Sequence, residues 1–125
     1  MEALHLIRTA SWFLGCAAVA GVWMAILRFA KDRAPPRLLA KAHTLLTCAS
    51  VTLLTYEWAT AGLPRLASIS LALLWLGALL GFVASRTIRL KWVPTIETLV
   101  FAHLSIAATA LFFLIASAAR PAGLP

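Results

Sequence analysis

Residues 66–85 read LASISLALLWLGALLGFVAS, a run without one charged side chain, bounded by Arg65 and Arg86. At about 1.5 Å of rise per residue, about 20 apolar residues carry a helix across the hydrocarbon core of a bilayer. No water reaches that layer to satisfy backbone polar groups, so an uncharged run of this length specifies a transmembrane helix.

Working outward, three further apolar runs lie at about 11–27, 38–59 and 94–117, and with short connections they use nearly all 125 residues. Composition agrees: 62% of the chain is hydrophobic and 12% charged, against about 45–50% and about 25% in soluble domains. The fold expected is all-α, a polytopic four-helix membrane bundle with up-down-up-down topology, forming one domain over residues 1–125. Helix stops fall between the runs. Pro35-Pro36 ends the first connection, Ala61-Gly62-Leu63-Pro64 makes a tight turn, and Pro94 suits the first turn of a helix. Met1–His5 lacks the basic start of a secretory signal, so the first span is expected to be retained.

Charge orients the bundle. Lys and Arg outnumber Asp and Glu by 11 to 4. The connection after span one carries Arg28, Lys31, Arg33, Arg37 and Lys41, and the one after span three carries Arg86, Arg89 and Lys91, whereas the opposite side has Arg8, Arg65 and Arg120. The positive-inside rule then places both basic connections in the cytoplasm and both termini outside, in what is expected to be a bacterial inner membrane. Trp12, Tyr56 and Trp58 fall near the outer interface and Trp92 near the inner one. The basic residues flank spans and belong to no nucleic-acid module; their expected contact is the lipid bilayer with its anionic headgroups.

A shift of 60 residues lays spans one and two onto spans three and four without a gap, giving nine identities in 46 aligned positions. Ala42-His43 falls on Ala102-His103, Gly21 on Gly81 and Lys31 on Lys91, and Ala-Gly-Leu-Pro follows both span two and span four. Two helix-pair repeats in the same orientation imply a pseudo-two-fold axis along the membrane normal, which sets equivalent residues at equal depth.

His43 and His103 are the histidines within the spans, and an ionisable group in hydrocarbon is a functional candidate by default. Steps of three and four residues from His43 give Ala40, Thr47, Ser50, Leu54 and Glu57; from His103 they give Val100, Ala107, Ala110, Leu114 and Ser117. These small and polar stripes should face the bundle interior with both imidazoles. The matching stripes are Leu14, Ala18, Gly21, Ala25, Arg28 on span one and Leu74, Ala78, Gly81, Ser85, Ile88 on span three, with Gly77 and Gly81 forming a Gly-xxx-Gly pair.

Two inward imidazoles at one depth on diagonal helices, surrounded by small residues, suit the two axial positions of a b-type haem. His43 and His103 are then the metal ligands, Gly21, Gly81, Thr47, Ser50, Ala107 and Ala110 shape the pocket, and Arg28 and Arg89 meet the propionates. The plan resembles small membrane cytochromes and the haem-bearing anchor subunits of respiratory complexes, although the Ser-His-Arg type motifs of succinate dehydrogenase anchors are absent. Electron transfer within the membrane, beside a redox partner, a larger complex or a quinone, is the expected role.

Other readings use the same residues. The histidines could hydrogen-bond across helices in a cofactor-free accessory or anchor subunit, or hold a quinone or an ion. A small transporter is less favoured, since span one lacks a central acidic residue. Glu57 reads as an interfacial carboxylate reaching water, Glu97 as a first-turn charge on span four, and Cys16 and Cys48 as small apolar-like thiols. There is no nucleophile with a base, no phosphate loop and no catalytic carboxylate pair, so the chain is not expected to be an enzyme alone, though it could serve as a subunit of an oxidoreductase.

Overall fold

The computed structural model describes residues 2–87 and 93–119. They form four helices: α1 (Glu2–Phe29), α2 (Arg37–Thr60), α3 (Arg65–Thr87) and α4 (Val93–Ala119). Each contains a stretch long and apolar enough to cross a membrane, which marks the chain as an integral membrane protein. Helix α1 begins well before residue 11 because Ile7 and Ala10 extend its buried face by two turns.

Breaks between helices follow local chemistry. At the end of α2 the N–H groups of Ala61 and Gly62 both donate to the Glu57 carbonyl at 3.0 Å, and Gly62 takes the positive φ of 81° that this cap requires. Asp32, between α1 and α2, also has positive φ, 45°, a conformation that Asp tolerates better than most residues.

Helices α1 and α2 pack along one another, as do α3 and α4; α1 also packs against α4, while α2 touches α3 lightly. In this arrangement α2 and α4 are diagonal. Ile7, Ala10 and Leu14 of α1 join Leu54, Leu71, Leu74 and Leu114 in the main apolar core, and Leu54 and Leu114, 60 positions apart, are both fully buried. Bulky side chains thus fill one half of the bundle's length, and Gly, Ala and the histidines occupy the other, with Ile96 buried toward its end. Trp12, Leu38, Leu45, Phe101 and Phe112 point outward, as expected of side chains facing lipid.

The buried face of α2 includes Ser50, Leu54 and Glu57, as the stripe from His43 requires. On α1 and α3 the face is turned by about one residue from the expected stripes. Ala17 and Gly77 are buried where Ala18 and Ala78 are half-buried, and Ala84 is buried while Ser85 is exposed and donates to the Phe82 carbonyl at 2.7 Å. The reason is the alternation of helical steps: the contact line runs 74, 77, 81, 84, whereas a first step of four residues leads to 78 and 85.

Glu57 departs from its expected setting. It is 4% exposed, because it continues the His43–Thr47–Ser50–Leu54 face into the bundle. At the corresponding position of α4, Ser117 is 6% exposed and its hydroxyl has no hydrogen-bond partner among the described residues.

At the opposite end of the bundle, Lys31 Nζ lies 5.4 Å from the Trp23 ring centre and the Arg86 guanidinium 4.9 Å from that of Phe82. Cations lying on outward-facing rings suit the level where hydrocarbon gives way to headgroups. Ile88, Arg89, Lys91, Trp92, Arg120 and the final Ala-Gly-Leu-Pro lie outside the described residues.

Candidate functional site

Placing His43 on α2 and His103 on α4 sets the two rings across the diagonal, with centroids 6.2 Å apart and planes inclined at 72°. Each ring is held by the helix that pairs with its own. His43 Nδ1 lies 2.8 Å from the Ala17 carbonyl of α1, and His103 Nδ1 lies 2.7 Å from the Gly77 carbonyl of α3.

A carbonyl only accepts hydrogen bonds, so Nδ1 must carry the proton in both rings. In the neutral imidazole that leaves Nε2 with a free lone pair, the form in which histidine binds a metal. Metal-ligating histidines use this kind of outer bond to fix tautomer and ring orientation.

Glycine makes the approach to these carbonyls feasible. In an α-helix the carbonyl of residue 17 accepts from the N–H of residue 21, and that of 77 from 81. The residues beside the two acceptors are therefore Gly21 and Gly81. A Cβ on Gly21 would stand 3.1 Å from His43 Cε1, and one on Gly81 would stand 3.0 Å from His103 Cε1. Gly77, the other half of the Gly-xxx-Gly pair, would meet only an ordinary contact, 3.6 Å to Ile106.

A second pair of interhelical bonds lies nearer the apolar core. Ser50 Oγ on α2 donates to the Ala10 carbonyl of α1 at 3.0 Å, and Ser70 Oγ on α3 donates to the Ala110 carbonyl of α4 at 2.7 Å. Since 10 pairs with 50 and 17 with 43, α1 and α2 run antiparallel; 70 with 110 and 77 with 103 say the same of α3 and α4. The 10–50 and 70–110 contacts are 60 residues apart, with donor and acceptor exchanged between the helices.

Both hydroxyls are fully buried. Ser50→Ala and Ser70→Ala are each expected to lower unfolding stability in detergent by about 0.6 kcal/mol, and, being in different helix pairs, to add in the double variant. Denaturant titration followed by helical circular dichroism measures this.

A void of about 40 Å³ borders both imidazoles on the side of the apolar core, with Leu14, Ala17, Ala18, Thr47, Leu74, Gly77, Ala78 and Ala107 as its other walls. Thr47 turns its hydroxyl back to the His43 carbonyl at 2.8 Å, so it presents mainly its methyl side. Of the residues singled out from sequence, His43, His103, Thr47 and Ala107 line this void, and Gly21 and Gly81 support the rings. Ser50 and Ala110 sit about two turns away and clamp helices together. Arg28, half-buried, ends α1 about two turns past Gly21; Arg89 lies outside the described residues.

Sequence reasoning missed Ala10, Ala17 and Ser70. Ser70 could have been found as the polar residue that faces α4 once α3 and α4 are laid antiparallel, whereas Ala10 and Ala17 act through backbone carbonyls and carry no side-chain signal. Among the described residues no three of His, Cys, Asp or Glu come together as metal ligands. No family model matches the chain, and neither a curated protein nor a solved structure resembles it at a significant level.

Proposed function

We propose that the chain is a b-type cytochrome of the membrane, holding one haem between His43 and His103 and passing electrons within the bilayer. The observation that carries this is the spacing of the two rings. With metal–nitrogen bonds of about 2 Å, and a ring nitrogen about 1.1 Å from its ring centre, two imidazoles on one iron have centroids about 6 Å apart. The centroids lie 6.2 Å apart, and both Nδ1 protons are already committed to backbone carbonyls.

Ligand number narrows the metal. A bare ion such as zinc takes about four ligands, and here the described residues offer two imidazoles without a third donor. A haem brings four equatorial nitrogens of its own and needs two axial ones. Alanine and glycine around the void suit a flat macrocycle, although one needs a site on the order of 300–1,000 Å³ and the void is about 40 Å³. Binding therefore requires the helices to part beside the rings.

In this reading the contacts recurring at 60 residues belong to two helix-pair repeats in an up-down-up-down bundle, related by an axis along the membrane normal that passes between the imidazoles. The basic connections face the cytoplasm and the termini face outside. Arg28, with Arg89, would meet the propionates at the cytoplasmic end. The chain's own contribution is to fix both imidazoles, keep water away and set the iron's surroundings. A membrane redox partner, a larger complex or a quinone would exchange electrons with it.

Titration of the purified apo-chain with haemin in mild detergent tests the proposal. The expected result is saturation at one haem per chain, with b-type bands on reduction. A featureless titration, with helical content intact, overturns it and favours a cofactor-free accessory subunit.

A further inference from the structure

A groove of about 420 Å³ runs between α2 and α3, lined by Thr47, Cys48, Val51, Thr52 and Tyr56 of α2 with Trp75 and Ala78 of α3 among its walls. Thr47 and Ala78 also wall the void beside the imidazoles, so groove and void are neighbours through these two side chains. The related seam between α4 and α1 is the more closely packed of the two. Sequence accounts for part of the difference. The 60-residue counterpart of Trp75 is Gly15, and those of Thr52 and Tyr56 are Phe112 and Ala116. An indole therefore stands at the α2–α3 seam, and its counterpart in the other pair has no side chain.

Resting on the haem reading, we infer that the macrocycle enters from the lipid through the α2–α3 seam and comes to rest with one edge in this groove. The void alone is too small for a macrocycle, whereas void and groove together reach the size of a ligand site. Parting α2 from α3 separates the least-packed neighbours and leaves the α1–α2 and α3–α4 pairs intact, with their four interhelical hydrogen bonds. Each imidazole keeps its bond to a backbone carbonyl, because each histidine is held within its own pair, and the α1–α4 seam acts as the hinge that limits how far the two rings separate. Trp75 and Ala78 then flank the edge that faces lipid, the side on which a membrane-dissolved redox partner would approach.

The two cysteines supply a test. Cys48 lines the groove; Cys16 is exposed on α1 and is not among the groove's walls. Two single-cysteine chains, Cys16→Ser and Cys48→Ser, are alkylated as apo-proteins with a bulky fluorescent maleimide and titrated with haemin. The expected result is loss of haem uptake when Cys48 carries the label and unchanged uptake when Cys16 does. As a check that does not depend on the labelled protein's fold, haemin bound beforehand should slow alkylation of Cys48 and leave that of Cys16 unchanged.

Equal uptake by both labelled chains, with no protection of Cys48, overturns the α2–α3 entry and leaves the histidine-bound haem standing. Failure of both unlabelled chains to take haemin overturns the haem reading, and this inference with it.

Discussion

A chain carrying His43→Ala or His103→Ala is expected to lose tight haem binding while remaining a helical membrane protein. Altering even an outer-shell partner of a metal ligand typically weakens affinity by about 10–100-fold, and removing one of two protein ligands should exceed the upper end of that range. The fold should survive, because the histidines contribute two interhelical bonds and the apolar core lies in the other half of the bundle. Loss of one such bond is worth about 0.6 kcal/mol in a membrane bundle. Haemin titration beside helical circular dichroism separates the two effects. Unchanged haem affinity in both single variants contradicts the assignment of ligands.

The second large effect is expected at positions that touch no metal. A methyl group on Gly21 or Gly81 would lie 3.1 or 3.0 Å from an imidazole carbon, closer than a comfortable carbon–carbon contact. The ring would have to move by a few tenths of an ångström, lengthening its bond to the Ala17 or Gly77 carbonyl. Gly21→Ala and Gly81→Ala should therefore weaken haem binding by about 10–100-fold, as loss of an outer-shell bond does. Gly81→Leu should abolish it by filling the ring's place. Gly15→Ala is the matched control, since a Cβ there meets nothing within 4 Å. Equal effects from Gly15→Ala and Gly81→Ala would show general helix perturbation in place of a supported imidazole.

Much of the fold was legible because its signals are local. Residues 66–85 contain no charge, and the Pro and Gly residues between runs mark breaks without reference to any neighbour. The inward faces of α2 and α4 were also legible, since His43, Thr47, Ser50 and Leu54 contrast with the larger apolar residues around them.

On α1 and α3 the contrast fails. Ala17 and Ala18 are chemically alike, so only packing decides which turns inward. Glu57 shows the same limit: a carboxylate near a helix end suggests water, but its phase on α2 carries it inside. The carbonyls that hold the histidines could not be read at all, because every residue has one and its partner is set by the register of antiparallel helices. The unequal seams were hidden for a related reason. Trp75 is one more aromatic residue in the sequence, and it matters only as the counterpart of Gly15 across the repeat.

Electron paramagnetic resonance of the ferric, haem-loaded chain tests the central claim most directly. Two imidazoles on one iron give a low-spin signal, and planes inclined as steeply as 72° place it in the strongly anisotropic class of crossed axial ligands. That is the predicted result, with conversion to a high-spin signal in His103→Ala. A high-spin spectrum from the unaltered chain would contradict the account, because the iron would then lack one of its two histidines.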